Sequence, residues 1–250
     1  MNRHALSRRK FLGLSGLAAM GLAAACTRDT RLNPAEWQPP ATLAPTPTAR
    51  PQEAMTPDAA LIRLIEGNRR FMSGNLIHPD YGPERREAVA REQMPFAAIL
   101  SCADSRVPPE VVFDHGLGDL FVVRVAGNVL SSNIVASLEY AVEHLHTPLV
   151  VVLGHKKCGA VKASVETIAA NAEAPGHIAS LVAAIGPAVA AARIRDGDTV
   201  DIAIRENVLH VVNDLPAQSP ALAEMVENTS LRIIGGYYDL DSGEVEMLTV

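Results

Sequence analysis

Cys102-Ala103-Asp104-Ser105-Arg106 and, much later, His155-Lys156-Lys157-Cys158-Gly159 bring together the residue types best suited to chemistry in this chain. Two thiolates and one imidazole are the soft and borderline ligands that Zn²⁺ prefers. No fourth tetrahedral ligand is evident, and three protein ligands with one open position is how catalytic zinc sites are built. The chemistry in view is the activation of water on a metal. His155 and Cys158 stand three residues apart at a helix start, so both can face one ion, and the helix N-terminus favours a thiolate there. Two thiolates cancel the formal charge of Zn²⁺, so lowering the pKa of water towards neutrality needs help from neighbouring groups. Asp104 can accept a hydrogen bond from the hydroxide, and Arg106 can clamp that carboxylate bidentately and hold it ionised.

Each ligand cluster follows a short apolar run: residues 96–100 before the first and 149–153 before the second. In open α/β sheets, sites form beyond the carboxyl ends of strands, so two neighbouring strands would join the clusters. Alternating strands and helices surround them. Thr56-Pro57-Asp58 starts a helix with a hydroxyl cap, a first-turn proline and an acid near the positive dipole end. That helix ends at Gly74, and a polar helix is expected over 84–93. A short helix opened by Pro108-Pro109 spans 107–113, a strand 120–125, and a helix begins at Ser131-Ser132 and breaks at Pro148. Helices are expected over 160–170, 177–193 (with Pro187 as a kink), 199–215 and 221–227. The strand 231–238, where Gly235-Gly236 allows a bulge or close backbone approach, turns through Asp241-Ser242-Gly243 into a last strand over 245–250. The fold class is therefore α/β: a mostly parallel central β-sheet flanked by helices, with an N-terminal helical arm and a C-terminal mixed-edge hairpin.

The first residues read differently. Ser7-Arg8-Arg9-Lys10-Phe11-Leu12 is a twin-arginine export signal, and the uncharged apolar run 12–25 is too short to span a bilayer comfortably. Residues 1–25 are expected to be a signal peptide, 26–53 a Pro/Thr/Ala-rich extended tether containing Trp37, and 54–250 one folded domain. Leu22-Ala23-Ala24-Ala25-Cys26 is similar to a bacterial lipobox, with Ala23 where Leu is usual, which makes Cys26 a lipidation candidate; ordinary cleavage is the alternative. An extracytoplasmic location, in the periplasm or cell envelope, follows. Of three cysteines, Cys102 and Cys158 remain for the domain. In an exported protein they could form a disulfide, but twin-arginine substrates fold in the reducing cytoplasm, which favours metal. The net charge of −6 and the lack of a Lys/Arg cluster in the folded part argue against nucleic acid as a partner.

The Cys-x-Asp-x-Arg and His-x-x-Cys-Gly signatures, in this order and strand context, resemble those of the β-class carbonic anhydrases. The likeness runs over residues 61–238 and includes Gly67-Asn68-Arg69-Arg70-Phe71 and Arg124-Val125-Ala126-Gly127-Asn128. It implies that Cys102, His155 and Cys158 bind zinc and that Asp104 and Arg106 form the catalytic dyad. In some members the aspartate also ligates the metal in a closed, inactive state, so Asp104 is a candidate fourth ligand. Gln93, Phe121 and Tyr140 match the substrate pocket of the plant-like branch, where an amide donor beside an aromatic wall suits CO₂. A Trp that helps build a regulatory bicarbonate site in another branch would fall at Ile99, so inhibition through such a site is not expected, although Arg124 remains. The resemblance also implies a homodimer or higher homo-oligomer with pocket residues shared across the interface.

The expected activity is reversible hydration of CO₂ to bicarbonate and a proton, catalysed by zinc-activated hydroxide. One rival keeps the site and changes the substrate to CS₂ or COS. Another is a non-catalytic lipoprotein that binds bicarbonate or zinc, against which the complete Asp104–Arg106 dyad argues. Gly116-Leu117-Gly118 lacks the continuation of a dinucleotide fingerprint and reads as a turn. No His-x-Glu motif of nucleoside deaminases is present. His78, His115, His144, His146, His177 and His210 are expected to be surface or core histidines.

Overall fold

A computed structural model describes residues 55–248. The export signal, the tether with Trp37 and the lipidation candidate Cys26 lie outside the described residues. The first described helix, α1 (Pro57–Met72), opens as its sequence predicts, with the Thr56 hydroxyl accepting from the Ala59 N–H at 3.2 Å. The next, α2 (Pro83–Val89), is shorter than expected. Gln93 therefore stands in the exposed, extended lead into the sheet and not on a helix.

Five strands form one sheet: β1 (Ala97–Ser101), β2 (Leu120–Arg124), β3 (Leu149–His155), β4 (Arg232–Tyr238) and β5 (Val245–Leu248), in the order β2-β1-β3-β4-β5. The first four run parallel, and β5 pairs antiparallel with β4. Every residue of β1 and β3 is buried, as expected of parallel strands covered on both faces. Alternation along the strands separates two apolar layers. Ala97, Ile99, Val151 and Leu153 meet Ala60 and Leu64 of α1 together with Phe96 and Phe113. Ala98, Leu100, Val150 and Val152 meet the opposite helices, α4 (Ser132–Glu139), α7 (Thr199–Gln218) and α8 (Pro220–Glu227).

Short α3 (Pro109–Val112) follows β1, while α5 (Gly159–Ala169) and α6 (Ile178–Ala192) follow β3. Helix α6 is continuous through Pro187, and α7 runs through Pro216, beyond the expected end. The chain after α4 winds into a π-helical turn, Tyr140–His144, closed by the Leu145 N–H to the Tyr140 carbonyl. Propensity does not signal that turn. The glycine pair in β4 makes no bulge; its ladder to β3 is unbroken, and close approach is what it provides. A Cβ on Gly235 or on Gly154 would lie 2.7 or 2.5 Å from a methyl of Val208, so these two glycines let α7 settle against the sheet.

Candidate active site

The parallel register sets Ser101 beside Leu153, so the chain leaves β1 at Cys102 just where β3 ends at His155. Both strands run one or two residues further than their apolar stretches suggested, and His155 is the last strand residue. Lys157 then adopts a left-handed conformation (φ 59°), turning the chain so that Cys158 becomes the N-cap of α5. The donor atoms of Cys102, His155 and Cys158 all lie within 4.8 Å of one another, and all three residues are buried.

Each donor is prepared locally. The His155 Nδ1–H donates to the Lys156 carbonyl at 3.0 Å, which leaves Nε2 as a bare lone pair. That nitrogen is buried without a protein partner, a costly state unless another group is to occupy it. The sulfurs are 3.9 Å apart, so they form no disulfide, and both cysteines are free. A hydrogen bond from the Cys158 thiol, opposed by burial and aided by the Gly127 N–H, pulls Cys102 well below the usual thiol range. Cys158, beside that sulfur and itself buried, is pushed up. Two buried sulfurs this close are best charged together when a cation lies between them.

Asp104 follows on the loop after Cys102. Arg106 donates Nε–H to Oδ1 at 2.9 Å and Nη2–H to Oδ2 at 2.8 Å, and its backbone N–H reaches Oδ1 at 3.0 Å. These bonds hold the carboxyl far below the usual carboxylate range. Oδ2 lies 3.9 Å from the bare His155 nitrogen, so the clamped carboxylate borders the metal-ligating cluster. With Arg106 engaged by both its oxygens, Asp104 is held here as a neighbour of the cluster and not in the closed, ligating arrangement.

Residues that motif reading did not assign support the loops. Arg124, at the end of β2, donates to the carbonyls of Cys102 (3.1 Å) and Asp104 (2.6 Å) and so fixes the loop between the first ligand and the dyad. The β4–β5 turn supplies Asp239 and Asp241, which pair with Lys156 at 2.8 and 3.0 Å and steady the second ligand loop. Only the register of the parallel strands could have signalled the first contact, and only the hairpin's position the second.

The three pocket residues are more dispersed. Phe121 and Tyr140 form a tilted aromatic pair with centroids 6.3 Å apart. Tyr140 and Gln93 are exposed and Phe121 is half-buried. Among the other histidines, His115 is buried edge-on against Phe96, and His78, His144, His146 and His177 are exposed.

Comparison with known proteins agrees with this geometry. A family model described as carbonic anhydrase matches residues 97–245. Carbonic anhydrase 2 of Mycobacterium tuberculosis is 44% identical over 188 residues, covering 75% of this chain and 90% of that protein. The carbonic anhydrase of Mycolicibacterium smegmatis is 39% identical over 191 residues, 76% of this chain and 93% of that one. Among solved structures, the β-carbonic anhydrase CcaA superposes with a TM-score of 0.61 at 26% identity, over 76% of this chain and 92% of that chain. On sequence likeness across three quarters of its length, and on a fold that superposes with a solved β-carbonic anhydrase, this chain belongs to the carbonic anhydrase family, in its β class.

Proposed function

We propose that this carbonic anhydrase interconverts CO₂ and bicarbonate, using a zinc ion held by Cys102, His155 and Cys158. The observation that carries the reading is the bare, buried His155 nitrogen facing two sulfurs 3.9 Å apart, with the clamped Asp104 carboxylate alongside. Sulfurs bound at about 2.3 Å to one tetrahedral zinc would be about 3.8 Å apart, so the two cysteines already stand at the separation the ion needs. When bound, zinc supplies the Lewis acidity that makes water nucleophilic near neutral pH.

The protein's own groups supply aim. Asp104 is ionised and accepts only. Its Oδ2 takes one bond from Arg106 and keeps a second acceptor position, which suits it to hold an O–H of the attacking water and point that oxygen's lone pair at the carbon of CO₂. Arg106 keeps the carboxylate charged and fixed in orientation. The Gln93 amide can donate to a CO₂ oxygen as charge develops there, and Phe121 with Tyr140 can wall the apolar molecule. The exposure of Gln93 and Tyr140 in a single copy supports sharing of this pocket across a homodimer or larger assembly. Sedimentation of the purified domain as a monomer with full activity would remove that part of the reading.

Stopped-flow CO₂ hydration by zinc-loaded protein should greatly exceed the buffer rate. A rate equal to buffer would overturn the activity, and faster turnover of CS₂ or COS would reassign the substrate. Residues 1–25 and 26–53 complete the reading as an export signal and a tether for an enzyme outside the cytoplasmic membrane, with a lipid on Cys26. Among the described residues no helix is long and apolar enough to cross a membrane. Mass spectrometry of the mature N-terminus decides between an acylated Cys26 and simple cleavage.

A further inference from the structure

We infer that Asn207, on the middle of α7, is a positioning residue for the metal site: it sets the Gly127 turn whose N–H is a hydrogen-bond donor to the Cys102 sulfur. The inference rests on the assignment of Cys102 as a metal ligand.

The Gly127 N–H lies 3.3 Å from the Cys102 Sγ, with both groups buried. Its aim depends on a turn, Ala126–Asn128, in which Gly127 is left-handed (φ 71°, ψ 16°). The peptide that follows Gly127 is held from both sides. The Asn128 N–H donates to the Val125 carbonyl at 3.0 Å, and the Gly127 carbonyl accepts from the Asn207 Nδ2 at 2.9 Å. The first bond is internal to the turn. The second is the tie to the helix behind it. A Cβ at Gly127 would meet Ile185 at 2.9 Å and Ala160 at 3.3 Å, so α5 and α6 also crowd the turn, but it is Asn207 that holds its carbonyl.

Asn207 is an unusual choice for this place. It is 1% exposed, beside Ile204 and Val208 on the buried, otherwise apolar face of the helix, and its Oδ1 is buried without a protein partner. A position selected for packing alone would carry an aliphatic side chain there, since an orphaned buried carbonyl costs about 1–3 kcal/mol. What the amide supplies is one donor aimed at Gly127. The neighbouring Val208 packs against Gly154, directly before His155, so one stretch of α7 supports the backbone beside two of the three ligands.

The chemical consequence lies in the sulfur. A donated N–H withdraws electron density from a thiolate and fixes its direction, so the sulfur gives less charge to the metal and is held where the metal must sit. In a site with two thiolates, that withdrawal preserves Lewis acidity the sulfurs would otherwise quench.

The test uses the full chain loaded with Co²⁺, whose thiolate-to-metal charge-transfer bands report electron density on sulfur. Asn207→Leu and Asn207→Ser should fold and take up one ion. Their bands should move to lower energy, and zinc affinity measured by chelator competition should fall about 10- to 100-fold, the scale for partners of metal ligands. Wild-type bands and wild-type affinity in the folded variants would overturn the inference. Unfolding of both variants would also count against it, by marking Asn207 as a residue of general packing. If the wild-type protein takes up cobalt without thiolate bands, the ligand assignment itself fails and takes the inference with it; bands present in wild type and unaltered in the variants reject Asn207 alone.

Discussion

Asp104 and Arg106 face each other in a fork: two side-chain bonds of 2.9 and 2.8 Å tie the guanidinium to both carboxylate oxygens, and the same arginine's backbone N–H adds a third at 3.0 Å. Here the loop after β1 bends back through the Val107 N–H to the Asp104 carbonyl, and Arg124 fixes it from β2. The fork keeps an acceptor-only group beside the ligand cluster at every pH the enzyme is expected to meet.

Replacing Asp104 with Asn should therefore leave zinc bound while lowering CO₂ hydration, by at least about 10- to 100-fold. Arg106→Ala should lower activity as well, and it should let the Asp104 carboxyl return towards the ordinary value of about 3.9. The sign follows from the depressed folded value: the pair's contribution is present above the unfolded pKa and is lost as pH falls through the folded one. Turnover lost between pH 7 and 5 in wild type would thus not arise from Asp104. Stopped-flow profiles alongside metal analysis check all three statements.

Cys102→Ser should strip the metal. A serine hydroxyl does not ionise near neutral pH, so the cluster would keep one sulfur and one imidazole, too few for tight binding. Elemental analysis should find far less than one zinc per chain and activity at the buffer rate. A fully loaded, active Cys102→Ser protein would contradict the ligand set.

Stability should depend on Asp114, whose partners are Arg70, Ile77 and His78 and not the ligands or the dyad. Its side chain is fully buried and accepts from Arg70 Nε at 2.6 Å and from the N–H groups of Ile77 and His78 at 3.1 and 3.0 Å. Burial pushes this carboxyl up, but Arg70 and the two amides outweigh it and the net shift is downward. Asp114→Asn should cost about 2 kcal/mol, the scale of hydrogen bonds to a buried charge. Wild type gains this term above about pH 4 and loses it on further acidification through the folded pKa, so urea midpoints of wild type and variant should converge in acid.

The contact of α7 with the sheet predicts a coupled pair. Gly154→Ala would drive a methyl to 2.5 Å from Val208 and should destabilise by about 1–3 kcal/mol. Val208→Ala opens space at the same point, so the double variant should be more stable than the sum of the single effects implies. Additive losses in chemical denaturation would mean that the two residues do not share this contact.

Local chemistry made much of this legible in advance. Thr56-Pro57-Asp58 started α1, Asp241-Ser242-Gly243 turned the last hairpin, and the uninterrupted apolar run before His155 marked a central parallel strand. Each depends on neighbours along the chain. The π-helical turn at Tyr140–His144, which buries Ala141 and Val142, was not legible because it depends on what the helix packs against; nor was the early end of α2 before Gln93.

At the site, the sequence by itself determined the donor set, since the charge and softness of two sulfurs, an imidazole and a clamped carboxylate belong to residue type. The tertiary structure alone decided that they meet. Cys102 and His155 become neighbours only because β1 and β3 pair in a register that sets Ser101 beside Leu153, one residue before the first ligand and two before the second. Asp239 and Asn207 come from a hairpin turn and a helix on another face, and no spacing along the chain announces them; Arg124 stands in a family-like segment, but its hold on the Cys102 loop comes only from the place of β2 beside β1. Hydrogen bonds act over about 3 Å in space, whatever the separation in sequence, so the groups that orient the ligands emerge only with the packed fold.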